Sequence, residues 1–140
     1  EEDTFEITNI GEIYGKIKKN HLMKSYIKQL PITNRLSALK QSTNYECLMI
    51  VQHTDERSKT TIPFKFYDYL NLNKLIIGII NSNELKNIFA KNGFLHANAN
   101  SVYSIKKMLM NLKKTSKRIY FPKKKLELNY IEQTKKIFDE

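Results

Sequence analysis

The 140-residue sequence predicts an α/β domain of three layers, with helices on both sides of a mainly parallel sheet. Two of the observations behind this are the runs Cys47-Leu48-Met49-Ile50-Val51 and Leu75-Ile76-Ile77-Gly78-Ile79-Ile80, which are strand-length and carry no polar side chain. A strand that is apolar on both faces must be covered on both faces, and parallel sheets provide that setting. The third is that segments of helical periodicity alternate with these runs. The pattern is Rossmann-like, and the chain length suits a single domain over residues 1–140.

The elements follow in order. Phe5 to Ile10 alternates apolar and polar side chains and reads as a strand, ended by Gly11, with Gly15 in the turn beyond. From Lys18 to Leu30 the positions Leu22, Met23, Tyr26, Ile27 and Leu30 recur at helical spacing, and Pro31 stops that helix. Thr33 or Asn34 caps a second helix that turns Leu36 and Leu39 inward. The buried strand Cys47–Val51 leads into a polar loop, Gln52 to Thr60, and then a helix from Ile62 to Leu72 with Pro63 in its first turn. A second buried strand spans Lys74 to Ile80. Ser82 or Asn83 caps the next helix, which runs through Ala90 and is closed by Gly93. Phe94 to His96 reads as a short strand. Ser101 to Lys114 is a helix with Val102, Ile105, Leu109 and Leu112 on one stripe, and a basic connector containing Pro122 leads to a last helix near Leu126 to Phe138.

Composition excludes several classes of function. No run of eighteen apolar residues exists, and the acidic start Glu1-Glu2-Asp3 is no signal peptide. Four Gly residues leave no P-loop or G-x-G-x-x-G turn. Cys47 is the single cysteine, which excludes an internal disulfide and a cysteine-based zinc site, fits a reducing, cytoplasmic setting and reads as core. His21 and His96 have no partner at ligand spacing, so neither a metal nor a cofactor is expected. The 24 basic and 14 acidic residues give a net charge of +10, and the basic ones are Lys except for Arg35, Arg57 and Arg118. With Asn and Ile also abundant, this composition points to an AT-rich genome. The positive field favours anionic partners without choosing among them. The runs Lys113 to Arg118 and Lys123 to Lys125 suit peripheral contact with an anionic membrane or a solvated face.

The segment Asp55 to Leu70 carries the chemistry. It follows a buried strand at its carboxyl end, where open parallel sheets bind ligands. On the predicted helix, Thr61, Lys65 and Asp68 share a face, and the N–H groups near Thr61 and Ile62 make an anion site. Lys65 balances phosphate charge, and Asp68 accepts two hydrogen bonds from a ribose diol. Arg57, in the preceding loop, offers a fork of donors to a diphosphate. The plainer alternative is a surface Lys65–Asp68 pair that stabilises the helix by a few tenths of a kcal/mol.

The stretch Thr60-Thr61-Ile62-Pro63-Phe64-Lys65-Phe66-Tyr67-Asp68-Tyr69-Leu70-Asn71-Leu72-Asn73-Lys74-Leu75-Ile76 resembles the "T-I-P-x-K-x-x-E-Y-L-A-x-G-K-P-I" block of GT-B glycosyltransferases of the family-four type. Gly11-Glu12-Ile13-Tyr14 with Leu22-Met23 resembles the opening "G-x-I-Y" turn and first helix of the same C-terminal, donor-binding domain. Leu36-Ser37-Ala38-Leu39 through Cys47-Leu48-Met49-Ile50 resembles its following helix and strand.

The resemblance implies a site for a nucleoside-diphosphate sugar used in glycan or polysaccharide synthesis. Asp68 takes the place of the ribose-binding glutamate, Thr60, Thr61 and Ile62 face the diphosphate, and Lys16 or Lys18 after Gly11 contacts phosphate. The chain departs from the block at three places. Asp68 is one methylene shorter than glutamate, Thr60 stands where a subgroup has a first glutamate, and Asn73-Lys74-Leu75 replaces G-K-P.

The resemblance also implies partners and a gap. Catalysis in such enzymes takes place in a cleft against an N-terminal acceptor domain, so this chain alone is expected to bind donor without turnover. A β-α-β unit is unaccounted for near residues 29–34, either absent there or lost in a shortened domain. The alternative from another class is a small basic α/β module that binds nucleic acid, or a non-catalytic interaction domain. No nucleic-acid-binding signature supports the former, so nucleic acid is not an expected partner.

Overall fold

The structure is a computed structural model that describes residues 5–12 and 26–115. Where the sequence reading has one domain over 1–140, the chain divides into two compact units, one within Glu1–Asn44 and one within Tyr45–Glu140. The fold is α/β, and the strand pairs of both units are parallel.

In the first unit, β1 (Ile7–Ile10) lies parallel to β2 (Ile27–Leu30), with Ile7 opposite Ile27 and Ile10 opposite Leu30. This corrects the helix expected over Lys18 to Leu30, whose last four residues are strand. Ile27 and Leu30 fit a helical stripe equally well. What decides is β1, whose backbone groups need partners. The Ile7 N–H donates to the Tyr26 carbonyl (3.2 Å) and the Gly11 N–H to that of Leu30 (3.1 Å). A parallel pair needs a connection of a dozen or more residues, and sixteen residues, 11–26, separate β1 from β2 in the sequence. Residues 18–25 of the expected helix, including His21, lie outside the described residues, as do Gly15, the basic connector after Thr115 and the last helix.

Helix α1 (Arg35–Ser42) follows directly, capped by Asn34, whose Oδ1 accepts from the Ser37 N–H at 2.9 Å. The stretch near residues 29–34 is therefore a strand end and a helix cap. It holds a strand the sequence count lacked, so five strands stand among the described residues where four were expected. Leu36, expected to turn inward, is 79% exposed.

The second unit is a three-layer α/β/α sandwich. Its sheet runs in the order β3 (Cys47–Val51), β4 (Leu75–Ile80), β5 (Leu95–Asn98), all parallel. Side chains alternate along β4, so Ile76, Gly78 and Ile80 share one face and Leu75, Ile77 and Ile79 the other. The first face carries α2 (Phe64–Asn71) and α3 (Asn83–Asn92), which bury Phe66, Leu85 and Phe89 against Ile50, Ile76 and Ile80. The second carries α4 (Val102–Thr115), where Met108 and Leu112 pack on Ile77 and Ala97. Two crossovers progressing the same way with the same hand place α2 and α3 on one face. Val102, expected on the buried stripe of α4, is 83% exposed, and Met108 fills the stripe instead.

Gly78, at the middle of the central strand, admits Phe89 to close approach. A Cβ there would lie 2.6 Å from Ile80 Cγ1 and 2.7 Å from Phe89 Cε1. Gly93 closes α3 in the left-handed region (φ 71°), where a side chain would be strained.

Cys47 opens β3 and packs with the α4 face, as its apolar context predicts. Burial pushes its thiol up to about 12 from 9.0. The folded state therefore favours the protonated thiol, and stability falls as pH rises from about 9 toward 12. Cys47 is expected to resist an aromatic disulfide reagent at pH 8 in the native protein and to react at once in denaturant. Equal rates in both conditions would contradict its burial.

Candidate functional site

The carboxyl ends of β3, β4 and β5 form one polar edge of the second unit. Each strand end carries a side-chain amide: Gln52 directly after the apolar run of β3, Asn81 directly after that of β4, and Asn98 as the last residue of β5. Gln52 and Asn81 are buried. Buried amides must be bonded, and these two bond across the sheet end.

Gln52 Nε2 donates to the carbonyls of Thr61 (2.8 Å) and Ser58 (3.4 Å). Its Oε1 accepts from the N–H groups of Asn81 (2.9 Å) and Ser82 (3.0 Å). Asn81 Nδ2 reaches back to the Asp55 carbonyl (3.1 Å) and to Ser58 Oγ (2.8 Å), while its Oδ1 accepts from Asn100 Nδ2 (3.3 Å). The loop after β3 is thereby clasped to the loop after β4. Within it, a 3-10 turn (Glu56–Lys59) is capped by Asp55, whose Oδ1 accepts from the Ser58 N–H at 3.2 Å.

The candidate residues fall as follows. Arg57 is 90% exposed, and its guanidinium forks onto Asp55 Oδ2 at 2.7 and 3.2 Å. That bond, with the charge behind it, holds the Asp55 carboxyl below its usual range and raises the guanidinium further. Thr60 is exposed and ends the 3-10 turn. Thr61 Oγ1 donates to the Arg57 carbonyl at 3.2 Å.

Helix α2 begins at Phe64, with Pro63 as its extended N-cap (ψ 136°), which corrects the expected start at Ile62. A residue before proline is biased away from the helical region, and Ile62 stays outside the helix, with its half-buried side chain packed against the core. Thr61 consequently leaves the helical face it was expected to share with Lys65 and Asp68. The leading N–H groups of α2 belong instead to Phe64 and Lys65. Lys65 is exposed and Asp68 half-buried. Burial and, second, the negative field of Asp68 raise the neighbouring Tyr69 hydroxyl above its ordinary range.

Gly11 belongs to the first unit. Its φ of 119° is one that glycine supplies readily, and its carbonyl accepts from Asn9 Nδ2 and Gln29 Nε2, both at 3.1 Å. Lys16 and Lys18 lie outside the described residues. The second unit thus gathers Arg57, Thr60, Thr61, Ile62, Lys65 and Asp68 into one loop and helix start. Gln52 and Asn81, which hold that loop, were not singled out by sequence reasoning. Their signal was a lone amide directly after each all-apolar run.

Among the described residues no group of three or more His, Cys, Asp and Glu side chains is placed to hold a metal, and no helix is long and apolar enough to cross a membrane. No family model, no curated protein and no solved structure matches this chain.

Proposed function

We propose that the second unit binds the nucleoside-diphosphate part of a sugar donor at the carboxyl edge of β3, as the donor half of a GT-B-like glycosyltransferase. The observation that carries this reading is the position of the Thr60–Ile76 block. It runs as loop, helix α2 and strand β4 out of the carboxyl end of a parallel strand, with Lys65 and Asp68 one turn apart on α2.

Each part has a chemical role. The leading N–H groups of α2 and the Lys65 ammonium attract the diphosphate through fixed dipoles and charge. Asp68 accepts from the two ribose hydroxyls, a geometry a carboxylate can satisfy and a phosphate site would not otherwise require. In glycosyl transfer the bond from the anomeric carbon to phosphate breaks, and negative charge gathers on the departing diphosphate. Donors aimed there stabilise that charge most when it is fully developed. The attacking hydroxyl belongs to an acceptor molecule held by a partner domain, so these residues by themselves bind the donor without transferring its sugar.

Calorimetric titration with uridine, guanosine and adenosine diphosphates tests the reading. At least one is expected to saturate, and Asp68→Ala is expected to weaken it by about tenfold, the loss of two modest hydrogen bonds. Lys91→Ala, an exposed lysine on α3, is expected to leave affinity unchanged. Absence of saturable binding by all three nucleotides overturns the proposal.

A further inference from the structure

Helix α4 has two unlike faces. Ile105, Met108, Leu109 and Leu112 pack on the sheet. On the opposite side Tyr103 and Met110 stand in line seven residues apart, 76% and 55% exposed, and Val102 at the helix start is 83% exposed. Exposed Lys106, Lys107, Lys113 and Lys114 flank this apolar crest. No Asp or Glu occurs anywhere from Leu85 to Leu126. Scattered exposed apolar residues are ordinary. A crest of them framed by lysines, on a helix with no carboxylate, is a specific arrangement.

We propose that the outer face of α4 docks onto an anionic lipid surface, lying in the plane of the interface. Tyr103 and Met110 enter the boundary between headgroups and acyl chains, and the four lysines meet lipid phosphates from either side with their stems along the apolar layer. Charge complementarity selects the partner. An acidic bilayer offers negative headgroups above hydrocarbon, matching both halves of the face. Nucleic acid matches the lysines and can stack on Tyr103, but it offers no hydrocarbon to cover Met110 and Val102, and no arginine fork is present on α4 to read a base edge. The inference stands independently of nucleotide binding.

The test is co-sedimentation of the full chain with vesicles of pure phosphatidylcholine and of phosphatidylcholine containing about one-third phosphatidylglycerol. Binding is expected only to the anionic vesicles. Each surface lysine contributes about fivefold to partitioning, so Lys107→Glu with Lys114→Glu is expected to lower it by more than about twentyfold. The same charge change at exposed Lys40 and Lys91 is expected to lower it by only about two- to threefold through net charge.

The sequence contains no Trp, so Tyr103→Trp introduces a single indole fluorophore, whose emission is expected to shift to the blue on binding. Circular dichroism confirms that each variant is folded. Equal losses from the two charge reversals, or an indole emission that does not move, overturn the proposal. So does binding to a single-stranded oligonucleotide that needs Lys107 and Lys114 while anionic vesicles fail to bind.

Discussion

Leucine in place of Gln52 is expected to lower the free energy of unfolding by about 3–5 kcal/mol, among the largest effects of any single polar substitution in this chain. The side chain is buried, and all its hydrogen-bonding capacity is used. It donates to two carbonyls, of Thr61 and Ser58, and accepts from two amides, of Asn81 and Ser82. Leucine fills similar space and satisfies none of these. Two buried N–H groups are orphaned at about 1–3 kcal/mol each; the carbonyls, which have second lone pairs and in one case a long bond, add less. In urea the midpoint is expected to fall while the slope stays the same. Under the proposed donor-binding role, the folded fraction is also expected to lose nucleotide affinity, because the clasp positions the loop that leads into α2. An unchanged midpoint would mean that water replaces the amide at no cost.

Phe89→Ala is expected to cost about 3–5 kcal/mol, about a fifth or more of the stability of an ordinary domain. Phe89 is wholly buried, with ring centroids 5.5 Å from Phe66, 5.4 Å from Phe94 and 6.1 Å from His96. Truncation removes the transfer energy of the ring and its edge contacts, and leaves a cavity bounded by the sheet, α2 and α3. Nothing on that face can collapse cheaply, since Gly78 already brings the strand backbone close to the ring. Phe89→Leu keeps most of the volume and is expected to cost about 1–2 kcal/mol. Denaturation of the two variants side by side checks the ratio. Equal effects would locate the loss in ring geometry rather than in space.

The strands β3 and β4 were legible because runs of five or six consecutive apolar residues are of strand length and are mostly covered on both sides, although Val51 at the end of β3 is exposed. The helix α4 was legible from spacing, and α3 from its end signals, Ser82 before and Gly93 after. Ile27–Leu30 was not legible. Its two apolar residues are spaced for a helix, and only the backbone of a strand twenty residues earlier makes it β. The start of α2 was misplaced by two residues because Pro63 is compatible with a first turn and with the cap before it, while the side chain of Ile62 packs against the core. Among the site residues, the loop and helix that carry Arg57, Thr60, Thr61, Lys65 and Asp68 were found from their position after a buried strand. The amides that hold them were passed over, because a single Gln or Asn has no periodicity to mark it.

Local chemistry along the chain settles which segments are strands and helices wherever burial is two-sided or a cap is present, since those signals depend on near neighbours alone. It also settles the charge of α4, with its lysines and its lack of carboxylates. Three things needed the folded chain: the division at Asn44–Tyr45, the pairing that turns Ile27–Leu30 into a strand, and the clasp from Gln52 to Asn81 twenty-nine residues away. In each case the deciding interaction is with a group distant in sequence. A backbone or amide hydrogen bond is made with whatever donor or acceptor the fold brings within reach, and residue type alone does not say which.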